Sequence, residues 1–367
     1  SDQDATYKDF LDTALITATG TADGNYSVTN NGDNNLEVGN WTYSLQPMKQ
    51  ADGSTIYHLV NNDLLSNKGK TIVSSVVSPD YWYYETNALY SDINNFNGAR
   101  KGHDVWAHMV HNKTTLSNFS DQSGVDDVDS QYSGVVVGID KKFSQSAKGS
   151  FWGGIMGGYG KASESFTGGD ADLNSAHVGV YGVYRTTTDW YVGSILKYNR
   201  YSTDISSTTS AGTAGGVHTS DDLSQTGWGL CVIGGKRFTN NKGWFVEPQL
   251  ELGYHRISEG DYTLGGTRVN VDAMTSKRVR AGFNVGKTIA YQSGANLDVF
   301  AQASMIHEFG GDGQITASNK YYPNNGSDNL EAKFDGTWGQ YKLGLNYNTA
   351  KGDNGILALT YNQGSRR

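Results

Sequence analysis

The stretch Gly243-Trp244-Phe245-Val246-Glu247-Pro248-Gln249-Leu250-Glu251-Leu252-Gly253-Tyr254-His255-Arg256-Ile257 alternates residue by residue. Alternation of this kind puts successive side chains on opposite faces of a strand. Trp244, Val246, Leu250, Leu252 and Tyr254 share one face; Phe245, Glu247, Gln249, Glu251 and His255 share the other. A soluble antiparallel sheet also alternates, so period alone decides little. Two details point to a membrane β-barrel instead. The apolar face begins and ends in an aromatic, as interfacial girdles do, and the polar face carries charge in mid-strand, as a hydrated lumen tolerates.

The pattern repeats on both sides of this stretch. Trp190, Val192, Leu196 and Tyr198 oppose Lys197 and Asn199; Val279, Ala281, Phe283 and Val285 oppose Arg278, Arg280 and Asn284. Tyr341, Leu343, Leu345 and Tyr347 oppose Gln340, Lys342 and Asn346. Trp190, Tyr198, Trp244 and Tyr254 are therefore candidate girdle residues, and Glu247, Gln249, Glu251, Arg278, Arg280 and Lys342 candidate lumen residues. The glutamates and arginines are placed to pair across the lumen wall. Strands are predicted at about 104–117, 131–143, 149–164, 172–186, 190–204, 221–238, 243–257, 275–289, 296–308, 330–348 and 355–363. Tight turns such as Thr187–Asp189 and Tyr291–Ala295 alternate with long polar loops at 205–220, 258–274 and 309–329, the asymmetry of an outer-membrane barrel.

Upstream of the strands the period changes. Ser78-Pro79-Asp80 reads as a helix start, with a capping Ser and Pro in the first turn. Trp82, Leu89, Ile93 and Phe96 then recur at helical spacing until Asn97-Gly98, which predicts one helix over 81–96. Trp82, Glu85, Asn87 and Leu89 are its candidate functional residues. Residues 1–61 are polar, with short β-like runs at Ala14–Thr19, Asn25–Thr29, Thr42–Leu45 and Ile56–Val60, read as the end of a larger β-solenoid.

Composition agrees. Of 367 residues only 37% are hydrophobic, mean hydropathy is −0.53, and no apolar run approaches a membrane helix. Low average hydropathy is normal for a membrane β-barrel. A soluble secreted β-protein is the competing reading. One cysteine, Cys231, cannot form an internal disulfide, and a net charge of −8 without a basic stripe argues against nucleic acid as a partner. No signal peptide precedes Ser1, so a processed product or an excised piece is expected.

Searches for chemistry return little. Gly154–Ser163 resembles a phosphate loop only superficially, because Ile155 stands where the first Gly is required. The eight His show no metal-ligand spacing, and there is no nucleophile elbow. No enzyme activity, metal or cofactor is expected.

The ordered set Trp106-Ala107-His108, Gly243–Gln249 and His307-Glu308-Phe309, with Trp82–Leu89 and Val38–Leu45 upstream, resembles the autotransporters of Gram-negative bacteria, pertactin-like type. The resemblance implies an all-β fold: an antiparallel 12-stranded transmembrane barrel with a lumenal linker helix and a short β-solenoid end. About eleven strands are legible and the closing strand is expected to be missing after Arg367. On this resemblance residues 1–77 are the C-terminal end of the passenger, 78–98 the linker helix and 99–367 the barrel. The function implied is export and surface anchoring of the chain's own N-terminal passenger at the bacterial outer membrane. Partners implied are outer-membrane lipid, the barrel assembly machinery, periplasmic chaperones and the passenger. Some relatives cut themselves at a linker Asn; Asn87, Asn94 and Asn95 are the candidates, with Glu247 or Glu251 as activators, but Thr86-Asn87-Ala88 lacks their Asn-Asn pair, so no cleavage is expected. A porin-like diffusion channel, and a surface adhesin whose activity lies upstream, are the rival functional readings.

Overall fold

The computed structural model describes residues 14–18, 35–91, 93, 96, 104–122, 124–209, 217–351 and 354–366. An N-terminal antiparallel sheet is built from β1 (Ala14–Ala18), β2 (Leu36–Val38), β3 (Trp41–Lys49) and β4 (Thr55–Leu65), in the order β1-β4-β3-β2. The run at 25–29 lies outside the described residues. Two helices follow, α1 (Asn67–Ser74) and α2 (Asp80–Ser91). Ser66 starts α1, its hydroxyl accepting from the Gly69 amide at 3.2 Å. Ser78 Oγ accepts from the Asp80 amide at 3.2 Å, where Pro79 brings the chain into α2.

The helix read at 81–96 forms α2 over Asp80–Ser91, about 18 Å at the helical rise; Ile93 beyond it is in a tighter 3₁₀ turn, and residues 92, 94 and 95 lie outside the described residues. α1 was not foreseen, because eight residues containing Gly69 give too little periodicity to read.

Eleven long strands then form one antiparallel wall. They are β5 (Asp104–Leu116), β6 (Val128–Gln145), β7 (Gly149–Phe166), β8 (Gly169–Thr186), β9 (Trp190–Thr209), β10 (Val217–Lys236), β12 (Trp244–Ile257), β15 (Met274–Ala290), β16 (Asn296–Glu308), β19 (Gly336–Asn348) and β20 (Asn354–Arg366). The two-residue β11 (Phe238–Thr239) pairs beside β12. The wall is a nearly closed barrel. Its end strands, β5 and β20, face one another across a gap lined by Lys113–Ser117 and Thr360–Gly364, and no ladder joins them among the described residues.

The decisive feature is which face is buried. In β12, Trp244, Val246, Leu250 and Leu252 are 48–51% exposed, while Glu247 and Glu251 are at most 4% exposed. Apolar outside and charged inside is the inverse of a soluble sheet and the arrangement a bilayer requires. Among the described residues no helix is long and apolar enough to cross a membrane, and the exposed apolar belt is carried by the strands.

Two predicted loops are corrected. The segments 258–274 and 309–329 are not irregular: β13 (Gly260–Leu264), β14 (Thr267–Val271), β17 (Asp312–Asn319) and β18 (Ser327–Lys333) form a four-stranded sheet, here termed the cap. The single strand read at 330–348 is two, β18 and β19, broken at Asp335-Gly336, where Gly336 has φ 138°. The cap sheet shares one core with α1 and the wide rim. Ile72, Val73, Val76 and Val77 pack with Tyr262, Leu264, Val269, Val271, Ile315 and Leu330.

Candidate functional site: the helix-filled lumen

The lumen is where the polar strand faces and α2 meet. The upper end of α2 belongs to the cap core through Tyr81, whose hydroxyl bonds Ser130 Oγ (2.6 Å) and Glu164. Farther along, Phe96 packs edge-on against Trp152, at 5.8 Å between ring centroids. The segment therefore runs from the cap toward the rim of short turns. Along it, Trp82, Leu89 and Ile93 are fully buried against Tyr191, Ile195, Cys231 and Ile233 of the wall.

Glycines make room for the helix. A Cβ at Gly229 would lie 2.6 Å from the Trp82 ring, and one at Gly253 would lie 2.5 Å from the Tyr83 ring. Trp82 also stacks on His255, with centroids 5.0 Å apart and planes 18° off parallel. Burying the two rings in this way is worth several kcal/mol, roughly 3–5 for a Trp cut to Ala.

One carboxylate anchors the helix. Glu85, fully buried, accepts from Tyr132 Oη (2.8 Å) and Ser175 Oγ (2.7 Å) through Oε1, and from Lys197 Nζ and Asn199 Nδ2 (both 2.7 Å) through Oε2. His177 Nδ1 lies 3.2 Å from Oε2 without hydrogen-bond geometry. Lys197 also donates to the Trp82 carbonyl at 2.7 Å and lies 4.7 Å over the Trp82 ring. The donors come from β6, β8 and β9, so one side chain ties α2 to three strands.

The opposite wall is ionic. Arg280 pairs with Glu251 at 2.8 Å. Arg278 does not meet either predicted glutamate of β12. It bridges Asp80 of α2 (2.7 Å) and Glu308 of β16 (2.9 Å), with its guanidinium 3.9 Å over the Tyr83 ring. Glu247 pairs with Arg237 at 3.5 Å, and Arg237 reaches Asp298 at 2.8 Å. Gln249 accepts from Gln302 (3.1 Å) and donates to Tyr191 (2.8 Å).

Between α2 and this wall lies a cavity of about 50 Å³, lined among others by Asn87, Arg237, Arg280, Asp298, Gln302 and Lys342. It has room for a few waters. Lys342 has no carboxylate in ion-pair contact among the described residues. Asn87 faces this cavity; Asn94 and Asn95 lie outside the described residues. Trp190 (55% exposed), Tyr198 (49%) and Trp244 (51%) stand on the outer surface, and Tyr254 there is half-buried. Among the described residues no group of three metal-ligating side chains converges.

The partners of Glu85 were not picked out from sequence. Lys197 and Asn199 show only as polar-face residues, and nothing local places Tyr132 and Ser175 beside them. Their convergence is set by strand register, Ser175 opposite Tyr201 and Gly179 opposite Lys197.

Comparison with known proteins gives a consistent picture. Residues 105–361 match the family model "Autotransporter beta-domain". The chain is 28% identical over 336 residues to the BrkA autotransporter of Bordetella pertussis, covering 90% of this chain and 31% of that protein. It is 29% identical over 236 residues to the pertactin autotransporter of Bordetella parapertussis, covering 64% of this chain and 25% of that one. The chain thus spans less than a third of the length of these relatives. Among solved structures, the β-domain of BrkA superposes with a TM-score of 0.57 at 24% identity, over 72% of this chain and 94% of that one. The translocator domain of NalP from Neisseria meningitidis gives 0.53 at 16% identity, over 78% and 92%. At these identities the structures speak to the fold alone.

Proposed function

The chain belongs to the autotransporter β-domain family, and from that premise we propose that it moves its own N-terminal passenger across the outer membrane and then holds it at the surface. The barrel resides in the bacterial outer membrane with the passenger end exposed. One observation carries the reading: α2 lies inside the barrel and connects the outer sheet β1–β4 to the wall. A chain caught in its own pore is what remains when a passenger has crossed and its tail has stayed. A porin-like channel has no use for a fully buried helix held by Glu85 and Lys197.

The bilayer, the barrel assembly machinery and periplasmic chaperones are proposed partners. The apolar outer face supports the first, and the family relation supports the other two. The chain is proposed to perform no catalysis, with Asn87 a hydrated helix residue rather than a nucleophile. Mass spectrometry of membrane fractions checks this: an intact link between α2 and β5 is expected, and a cut beside Asn87 overturns it.

The export reading is tested with protease on intact cells producing the full-length protein. Cutting at the exposed turn Asp52-Gly53 without lysis is expected, with β5–β20 protected. Cutting only after lysis overturns it.

A further inference from the structure

On four strands an exposed or half-exposed aromatic marks the upper edge of the apolar belt: Tyr159 on β7, Tyr198 on β9, Trp228 on β10 and Tyr254 on β12. The next outward-facing residue toward the cap side, about 7 Å farther along the strand, is Lys161, Arg200, Thr226 and Arg256 respectively. On β15 the cross-strand partner of Tyr254 is Lys277. Four exposed cations thus follow the aromatic line on β7, β9, β12 and β15, with the uncharged Ala176 of β8 and Thr226 of β10 between them.

No carboxylate stands directly across from Lys161, Arg200 or Arg256, although Lys161 lies within electrostatic reach of Asp204. Arg200 is flanked by Ala176 and Thr226, Lys161 by Ser133 and Asn174, Arg256 by Trp228 and Thr275, none of them acidic. Arg256 donates to Thr275 Oγ1 at 3.1 Å. None of the four has a carboxylate in ion-pair contact among the described residues. Beyond Arg200 and diagonal to Lys161 runs the cross-strand acid line Asp172–Asp204–Asp222, with Asp204 four residues from Arg200, while Glu308 accepts from the Lys277 backbone amide at 2.8 Å.

Two internal controls make the pattern specific. Inside the lumen Arg237, Arg278 and Arg280 are each paired with carboxylates. At the opposite rim the lysines stack on girdle rings instead, Lys236 at 5.3 Å over Trp190 and Lys287 at 5.4 Å over Trp244. The unpaired row also runs against a chain whose net charge is −8. Exposed cations at headgroup height without a carboxylate in ion-pair contact complement phosphate, and arginine binds it in bidentate fashion.

We propose that Lys161, Arg200, Arg256 and Lys277 form a docking surface for the phosphate groups of the phosphorylated glycolipid of the outer leaflet. The row holds the barrel at a fixed depth, and the aspartate line above it marks where the phosphate layer ends. This rests on the reading that the barrel is inserted with its cap outward.

The test uses the full chain, extracted from outer membranes in mild detergent. Phosphorylated glycolipid retained per barrel is measured by native mass spectrometry. The quadruple variant Lys161→Gln, Arg200→Gln, Arg256→Gln, Lys277→Gln is compared with the opposite-rim variant Lys141→Gln, Lys236→Gln, Lys287→Gln. At least a fivefold loss of bound glycolipid is expected in the first and less than twofold in the second. Equal retention in both, or equal loss, overturns the proposal. Should the quadruple variant fail to assemble, Arg200→Gln with Arg256→Gln is used, with at least a twofold loss expected and unchanged retention overturning it. Membrane fractionation of the unsubstituted chain runs in parallel. A barrel absent from the outer membrane fails the underlying reading, whereas an inserted barrel with unchanged glycolipid fails this inference alone.

Discussion

The two walls of the lumen hold α2 in different ways. Against β6–β10 the helix lies dry: Trp82, Leu89 and Ile93 bury against aliphatic and aromatic side chains, and the ion pair enclosed there, Glu85 with Lys197, has both carboxylate oxygens bonded. Against β12–β19 the contact is wet and ionic, with Arg280, Arg237 and Lys342 around a small cavity. A plug that must pass through its pore and then stay benefits from this division. One side supplies adhesion through packing and desolvated hydrogen bonds. The other leaves a small polar cavity beside the helix with room for a few waters.

The sharpest way to break the comparison is to remove the anchor of the dry wall. Glu85→Ala strands Lys197 as a buried cation and is expected to cost about 3–5 kcal/mol, read as a fall in the unfolding temperature of the barrel in detergent. Arg280→Met removes the partner of Glu251 on the wet wall. Glu251 lines a neighbouring cavity of about 20 Å³, room for about one water to solvate the orphaned carboxylate, so a smaller loss of about 1–3 kcal/mol is expected by the same measurement. Equal losses would erase the distinction between the walls.

Lys342→Gln should change stability by less than about 0.5 kcal/mol, as a cation without an ion-pair partner. It should nevertheless shift ion selectivity toward cations in a bilayer reversal-potential measurement. The cap supplies the smallest effect and a check on method. Burial, then Asp335 and Glu331, raise the Asp312 carboxyl above its ordinary 3.8. A raised acid favours the protonated folded state, so the cap loses stability as pH rises through that raised value. Asp312→Asn should match the parent near about pH 2 and slightly exceed it near about pH 7, which lie below and above the ordinary Asp range.

Much of this was legible in the sequence. Strand alternation gives the two faces, and turn residues give the short rim. What stayed hidden depends on register and on breaks that keep parity. Leu330 and Ala332 of β18 continue the inward phase of Trp338 in β19, so the turn at Asp335-Gly336 leaves no mark on the periodicity. Arg278 and Arg280 share a face, yet only Arg280 lies opposite Glu251, and Glu247 lies opposite Asn284. The partner of Glu247 is Arg237, next to the short β11. The Glu85 site was the least readable, since its donors come from strands more than 40 residues apart from it and meet only when β6, β8 and β9 are aligned.

On the proposed function α2 is a plug left in an export pore. Single-channel conductance of the barrel in planar bilayers, with residues 1–98 present and then removed, tests this most directly. Small openings in the intact chain and a severalfold larger conductance after removal are expected. Equal conductance in the two would contradict it.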